Sequence, residues 1–206
     1  MFYSAISQIE GYWHGLYDAH GRIPARSQLD PRGMARVLEN AMLLERIAPG
    51  IARIRLAGMH MSDLMGMEVR GMPITAFFEP AAREAIKGAI KKVCDSQRIV
   101  DVDLRSSGGP GRAQLEGRLF MAPLTDDSGA VTRILAALQT KGQIGFTPRR
   151  FDGATVSARS LDAARSFELP QPAGAQRAFS EPQADFVAQD AGGSRGPHLR
   201  LVHSAD

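Results

Sequence analysis

From Arg98 to Arg105 the chain alternates: Val100, Val102 and Leu104 on one parity, Asp101, Asp103 and Arg105 on the other. Successive side chains of a strand point to opposite faces, so this segment reads as extended with one face buried; a helix would scatter the same residues around its surface. Two more apolar runs follow, Gln114–Leu124 and Val131–Thr140, joined by Asp126-Asp-Ser-Gly129, whose residue types close a hairpin. Upstream, Ala41–Ile47 and Ile51–Ala57 flank the turn Pro49-Gly50 and form a second hairpin. In its second strand Ile54 and Leu56 are expected on one side, Arg53 and Arg55 on the other.

Helical spacing fills the remainder. Ile6, Ile9, Trp13 and Leu16 lie on one stripe of a helix from about Tyr3 to Asp18. Asp30-Pro31 supplies a cap and a first-turn proline for a short helix through Leu38. Short helical turns are expected at Met59–Met65 and Ile74–Phe78. Glu79-Pro80 then opens a longer helix with Ala82, Ile86, Ala89, Ile90 and Val93 on its apolar face. Two groups of hairpin-linked strands separated by helices argue for an α+β fold: a five-stranded antiparallel sheet with helices on one face and a helical extension before it.

Composition shifts near residue 146. Beyond it Pro148, Pro170, Pro172, Pro182 and Pro197 stand among Ala, Gly, Ser and Gln, and apolar residues become isolated. Such a segment buries too little surface to offset its chain entropy. The chain therefore divides into a domain over residues 1–145 and a low-order Pro/Gly/Ala-rich tail over residues 146–206. Within the tail, Ser160–Phe167 has the spacing of a short helix, and Leu199, Leu201 and Val202 read as a short docking segment.

Bulk properties narrow the setting. The formal charge of +3 comes from scattered arginines interleaved with acids, and Lys91-Lys92 is the one adjacent lysine pair, so a nucleic-acid surface is not expected. No run approaches the roughly 18 apolar residues of a membrane helix, and the first residues lack a secretory pattern. A single cysteine, Cys94, suits a reducing compartment. The cytoplasm is the expected location.

The motifs between Gly11 and Gly71 resemble a bacterial family of small single-PAS-domain proteins. The matching pieces are Tyr12-Trp13, Pro24, Arg26, Leu29-Asp30-Pro31, Ala41-Met-Leu-Leu-Glu45, Arg55-Leu-Ala-Gly58, Leu64-Met-Gly66 and Gly71. After Arg-Leu-Ala-Gly the family usually places a small hydroxylated residue where this chain has Met59. The resemblance implies a PAS fold with a cleft between sheet and helices. It further implies either small-ligand binding in that cleft or dimerisation and signal transfer through the sheet and the first helix.

The expected cleft set is Ile54, Leu56, Met59, His60, Met61, Leu64, Phe77, Ile86, Ile90, Val102, Leu104, Leu119 and Met121, with Arg55, His60 and Arg70 as polar groups able to orient a ligand. Plain core packing is the other reading of the same residues. No cofactor is named: Gly71–Phe78 lacks the cysteine of flavin-photoadduct domains, residues 80–93 carry no histidine for haem, and His14 and His20 are too scattered for a metal site. Motifs for nucleophilic, zinc-dependent or phosphate-loop enzymes are missing, and Gly108-Gly-Pro-Gly111 joins two strands. The expectation is a non-enzymatic regulatory protein sensing a small ligand in the cleft and signalling through protein contact, as a homodimer or with another signalling protein. A ligand-free interaction module is the alternative. The expected interaction residues are Ile6, Ile9, Trp13 and Leu16 on the first helix, with Leu199, Leu201 and Val202 in the tail.

Overall fold

Alternating and doubly apolar segments build one antiparallel sheet in the computed structural model, which describes residues 3–109 and 112–162. The strands are β1 Ala41–Ala48, β2 Ile51–Ala57, β3 Ile99–Ser106, β4 Leu115–Thr125, β5 Val131–Lys141 and β6 Gly153–Arg159, in the spatial order β2-β1-β5-β4-β3-β6. The helices are α1 Ser4–His20, α2 Met59–Met65 and α3 Pro80–Cys94, with 3-10 segments at Arg26–Gln28, Pro31–Asn40 and Ile74–Phe77. Asp30 caps the Pro31–Asn40 segment by accepting from the Arg32 N–H, as its Asp-Pro start implies.

Neighbouring residues of the central strands belong to opposite cores. On the inner face Met42, Leu44, Val102, Leu119, Met121, Ile134, Ala136 and Leu138 pack with Ile86, Ile90 and Val93 of α3 and Met61 and Leu64 of α2. On the outer face Leu43, Phe120, Ala122, Leu124, Leu135 and Ala137 pack with Ile6, Ile9 and Trp13 of α1 and with Met34 and Val37. The unbroken run Leu119–Leu124 is therefore a strand buried on both sides. Helices cover both faces of the sheet, where the sequence reading placed them on one; the N-terminal extension takes the second face.

Two further differences have physical causes. The sheet has six strands, not five. Residues 153–159 pair antiparallel with β3, from Ile99 opposite Arg159 to Arg105 opposite Gly153. The ordered part thus runs past residue 145, and Arg149 and Phe151, assigned from sequence to the tail, are buried. The approach to β6 is itself paired: Phe151 N–H donates to the Phe77 carbonyl, and Glu79 N–H donates to the Phe151 carbonyl. Residues 163–206 lie outside the described part, and with them Leu199, Leu201, Val202 and most of the expected helix at 160–167.

The second difference is a bulge in β2. Leu43 stands opposite Leu56, yet the next residue, Leu44, stands opposite Ile54, leaving Arg55 unmatched. One extra residue reverses the parity of a strand. Ile54 consequently faces the inner core while Leu56 turns to the outer side, 51% exposed.

Candidate functional site

Most of the set expected to line a cleft comes together on the inner face of the sheet. Ile54, Met61, Leu64, Phe77, Ile86, Ile90, Val102, Leu104, Leu119 and Met121 are all buried in one cluster. Two expected members are not there: Leu56, reversed by the bulge, and Met59, which opens α2 and is 69% exposed. Of the polar groups expected to orient a ligand, Arg55 pairs with Glu45 on the outer side, and Arg70 is exposed beside Leu56 rather than in the cleft.

His60 does reach the inner side. Its Nε2 lies 3.1 Å from the hydroxyl of Thr140 at the end of β5. Burial holds its imidazole below the ordinary value of 6.5, against the opposing charges of Asp63 and Glu39. A base whose folded pKa is lowered leaves stability intact above its unfolded pKa and erodes it as pH falls through that value, because the unfolded chain then binds the extra proton. Thermal melts between pH 7.5 and 5.5 should therefore show a midpoint falling below about pH 6.5, with this component missing in His60→Gln. An identical pH slope in the two proteins would remove His60 from the account.

A second polar group was not anticipated. Arg149 is 1% exposed. Its main-chain N–H donates to the carbonyl of Leu64 at 2.7 Å, holding the strand approach against the end of α2. Its Nη2 donates to the Ala113 carbonyl at 2.8 Å, while its buried Nε and Nη1 have no hydrogen-bond partner among the described residues. A buried cation with unused donors is energetically expensive. The sequence signal was present as Arg149-Arg-Phe151, but the surrounding prolines and glycines drew the segment into the tail. Phe151 lies beside it in the chain, its ring centroid 5.9 Å from that of Phe78.

The first-helix residues expected to bind a partner are occupied within the chain. Ile6, Ile9 and Trp13 are buried against the sheet, and the indole N–H of Trp13 donates to the Pro123 carbonyl at 2.9 Å. Leu16 is half-buried. The tyrosine beside the stripe, Tyr17, stacks on Trp13 at a centroid distance of 5.3 Å. Cys94 is buried, and burial pushes its thiol pKa up, away from nucleophilic use. Among the described residues no group of three or more His, Cys, Asp or Glu is placed to hold a metal ion. No helix among them is long and apolar enough to cross a membrane.

What the outer side offers instead is an apolar groove of about 250 Å³. Leu29, Pro31, Met34, Leu38, Leu43 and Leu56 line it, and Arg26 is the charged residue at its wall. Two backbone devices shape it. The bulge at Arg55 delivers Leu56, and Gly58 lets the end of the 3-10 segment approach closely, since a Cβ there would stand 2.2 Å from the Leu38 carbonyl oxygen. An adjoining depression shares Arg26, Leu43 and Leu56 and adds Glu45, Arg55, Arg70, Asp126, Asp127 and Arg133. Glu45 is claimed by Arg55 and Arg133. Asp126 is held by its own turn, accepting from the Ser128 hydroxyl and N–H, the Thr132 hydroxyl and the Ala130 N–H, which keeps its pKa at about 2.

Among solved structures the chain is similar to the Rhodobacter sphaeroides LOV protein, at 14% identity over 69% of this chain and 70% of that one, with a TM-score of 0.40. It is similar to the PAS domain of the fruit-fly ELK potassium channel, at 18% identity over 48% of this chain and 84% of that one, with a TM-score of 0.36. Similarity to the LOV domain of the blue-light photoreceptor Aureochrome1 is of the same order: 17% identity, 54% and 88% covered, TM-score 0.37. No curated protein matches the chain. A family model described as a PAS domain matches residues 1–139, the span from α1 through nearly all of β5. The chain belongs to this PAS-domain family, a class of sensory and regulatory modules.

Proposed function

We propose that the protein is a non-enzymatic cytoplasmic regulator that senses a small ligand at the end of the inner cleft and passes the signal on through protein contact. One observation carries the ligand half: Arg149, 1% exposed and tied by its main chain to Leu64 of the inner cluster, has two side-chain nitrogens, Nε and Nη1, with no hydrogen-bond partner among the described residues. An anionic ligand group, such as a carboxylate, would satisfy those donors and the charge together. The adaptable methionines Met61, Met65 and Met121 in the adjacent cluster can repack around an added group.

The experiment is thermal melting of the full chain against a panel of small carboxylates and phosphates, with chloride matching ionic strength. A ligand at a hundred times its dissociation constant adds about 2.7 kcal/mol, which is a rise of roughly 5–10 °C for a chain of this size. Arg149→Met should abolish the rise while keeping a native far-UV spectrum. A panel that moves neither protein would defeat the ligand half.

A second reading is favoured by a different observation. The ten cleft residues already pack against one another as a core, which fits a ligand-free interaction module. In that case the chain flies bare in native mass spectrometry and only contact partners change its behaviour. A homodimer, on either reading, would use a surface other than the Ile6-Ile9-Trp13 stripe, because that stripe is spent on the chain's own sheet.

A further inference from the structure

We infer that the outer groove is the docking site for a partner protein's short segment, one carrying one or two large apolar side chains next to a carboxylate. The inference rests on the contact half of the reading above and is independent of the ligand half.

The groove's size selects this occupant. Small-molecule sites usually enclose about 300–1,000 Å³, and this one, about 250 Å³ and open along the surface, has room for one or two anchoring side chains. Apolar anchors seated in such pockets dominate the energy of protein contacts. Two lining residues are exposed to solvent, Leu38 at 42% and Leu56 at 51%, on one continuous apolar wall with Leu29, Pro31, Met34 and Leu43. Contiguous exposed apolar residues of this kind mark interaction sites. Leu56 is there because a bulge re-aims it, and bulges commonly serve that purpose.

Charge supplies the second requirement. Arg26 lines both the groove and the adjoining depression, and neither Arg26 nor Arg70 has an ion-pair partner among the described residues. The acids nearby are largely engaged: Glu45 by two arginines and Asp126 by four donors of its own turn, leaving Asp127 as the one of the three with no partner among the described residues. An apolar anchor followed by Asp or Glu places its carboxylate against the two open guanidiniums, where Arg forms directional, paired hydrogen bonds.

The test is a random-peptide display selection on the immobilised full chain, followed by fluorescence anisotropy with the enriched peptides. The expected consensus is a Leu, Phe, Met or Trp within a few positions of Asp or Glu. Leu56→Glu should weaken these peptides at least about tenfold, the effect of losing a central anchor contact. Arg26→Glu should weaken them several-fold and reduce their salt dependence. Ile47→Glu, which alters an exposed apolar residue outside the groove, should change nothing. Should Leu56→Glu fail to fold, Leu56→Ala and amide shift mapping on the wild-type chain ask the same question.

Enriched peptides indifferent to Leu56→Glu, or no enrichment, would overturn the assignment. So would a consensus without acids that ignores Arg26→Glu. A concentration-dependent dimer in sedimentation, abolished by Leu56→Glu, would give the groove to a second copy of the chain and overturn the partner named here. Because Leu56 lies outside the inner cluster, Leu56→Glu should keep any anion-induced rise in melting temperature. Loss of that rise only in Arg149→Met then separates the fate of the cleft reading from that of the groove.

Discussion

Trp13→Ala is expected to remove about 3–5 kcal/mol of stability, the range for deleting a large buried aromatic. Trp13 has no exposed surface, lies among Ile9, Phe120, Ala122 and Leu124, and satisfies the Pro123 carbonyl with its indole N–H. The loss corresponds to a melting midpoint lower by about 6–20 °C for a chain of this length. Urea unfolding followed by circular dichroism measures it directly. Trp13→Phe should cost less, about 1–3 kcal/mol from the unpaired buried carbonyl and lost contacts. A Trp13→Ala protein within 1 kcal/mol of wild type by that measure, yet impaired in self-association, would restore the reading of α1 as an external interaction helix.

The second large effect concerns residues 146–162. A chain ended at residue 145 loses β6, the Phe151 side chain from the inner core and the main-chain bonds from Phe151 to Phe77 and Glu79. It also loses Arg159, which joins Glu10 of α1 at 2.5 Å and Asp101 of β3 at 3.2 Å. Phe151→Ala alone should cost about 3–5 kcal/mol, a large part of the 5–15 kcal/mol by which domains are stable. The truncated chain should therefore lose cooperative unfolding or fall into the insoluble fraction, while a chain ended at residue 162 unfolds in one transition. Both lack residues 163–206, so their difference reports 146–162 alone. Equal midpoints would show that β6 adds nothing to the fold.

These two predictions mark where the sequence was legible and where it was not. Segments with a strong period were read nearly to the residue: β3 from its alternation, α3 from its Glu-Pro start and apolar stripe, the two hairpins from their turns. β6 has a weak signal because Gly153-Ala-Thr-Val-Ser-Ala-Arg159 offers only Val156 as a sizeable apolar residue; it is a strand because β3 presents an open edge to it. Pairing of that kind is decided by the partner strand and leaves little trace in the segment itself.

The site was read with the same unevenness. Strict alternation placed Leu56 beside Ile54, and a one-residue bulge, which no local composition announces, sent it to the other face. The stripe Ile6-Ile9-Trp13 was correctly seen as apolar, but a sequence cannot say whether such a stripe meets its own sheet or another molecule. The Arg149-Arg-Phe151 sequence was in plain view, but nothing local announces the burial of Arg149, which depends on Leu64 and Ala113, far from it in the chain.

The bulged strand β2 carries one more implication, for the manner in which another chain could be recognised. Midway along this edge, the Ile54 N–H donates to the Met72 carbonyl and the Ile54 carbonyl accepts from the Gly71 N–H, while Arg53 faces Pro73. The Ile54 main-chain groups that would pair with an incoming strand at the middle of this edge are therefore already taken by a nearby loop, and proline lacks an N–H to offer. Docking beside β2, as proposed above, would therefore go by side chains entering a socket, and single-residue changes would tune it. No strand pairs beyond the opposite border, β6, among the described residues, so backbone-to-backbone zippering there would run over at most the seven residues Gly153–Arg159.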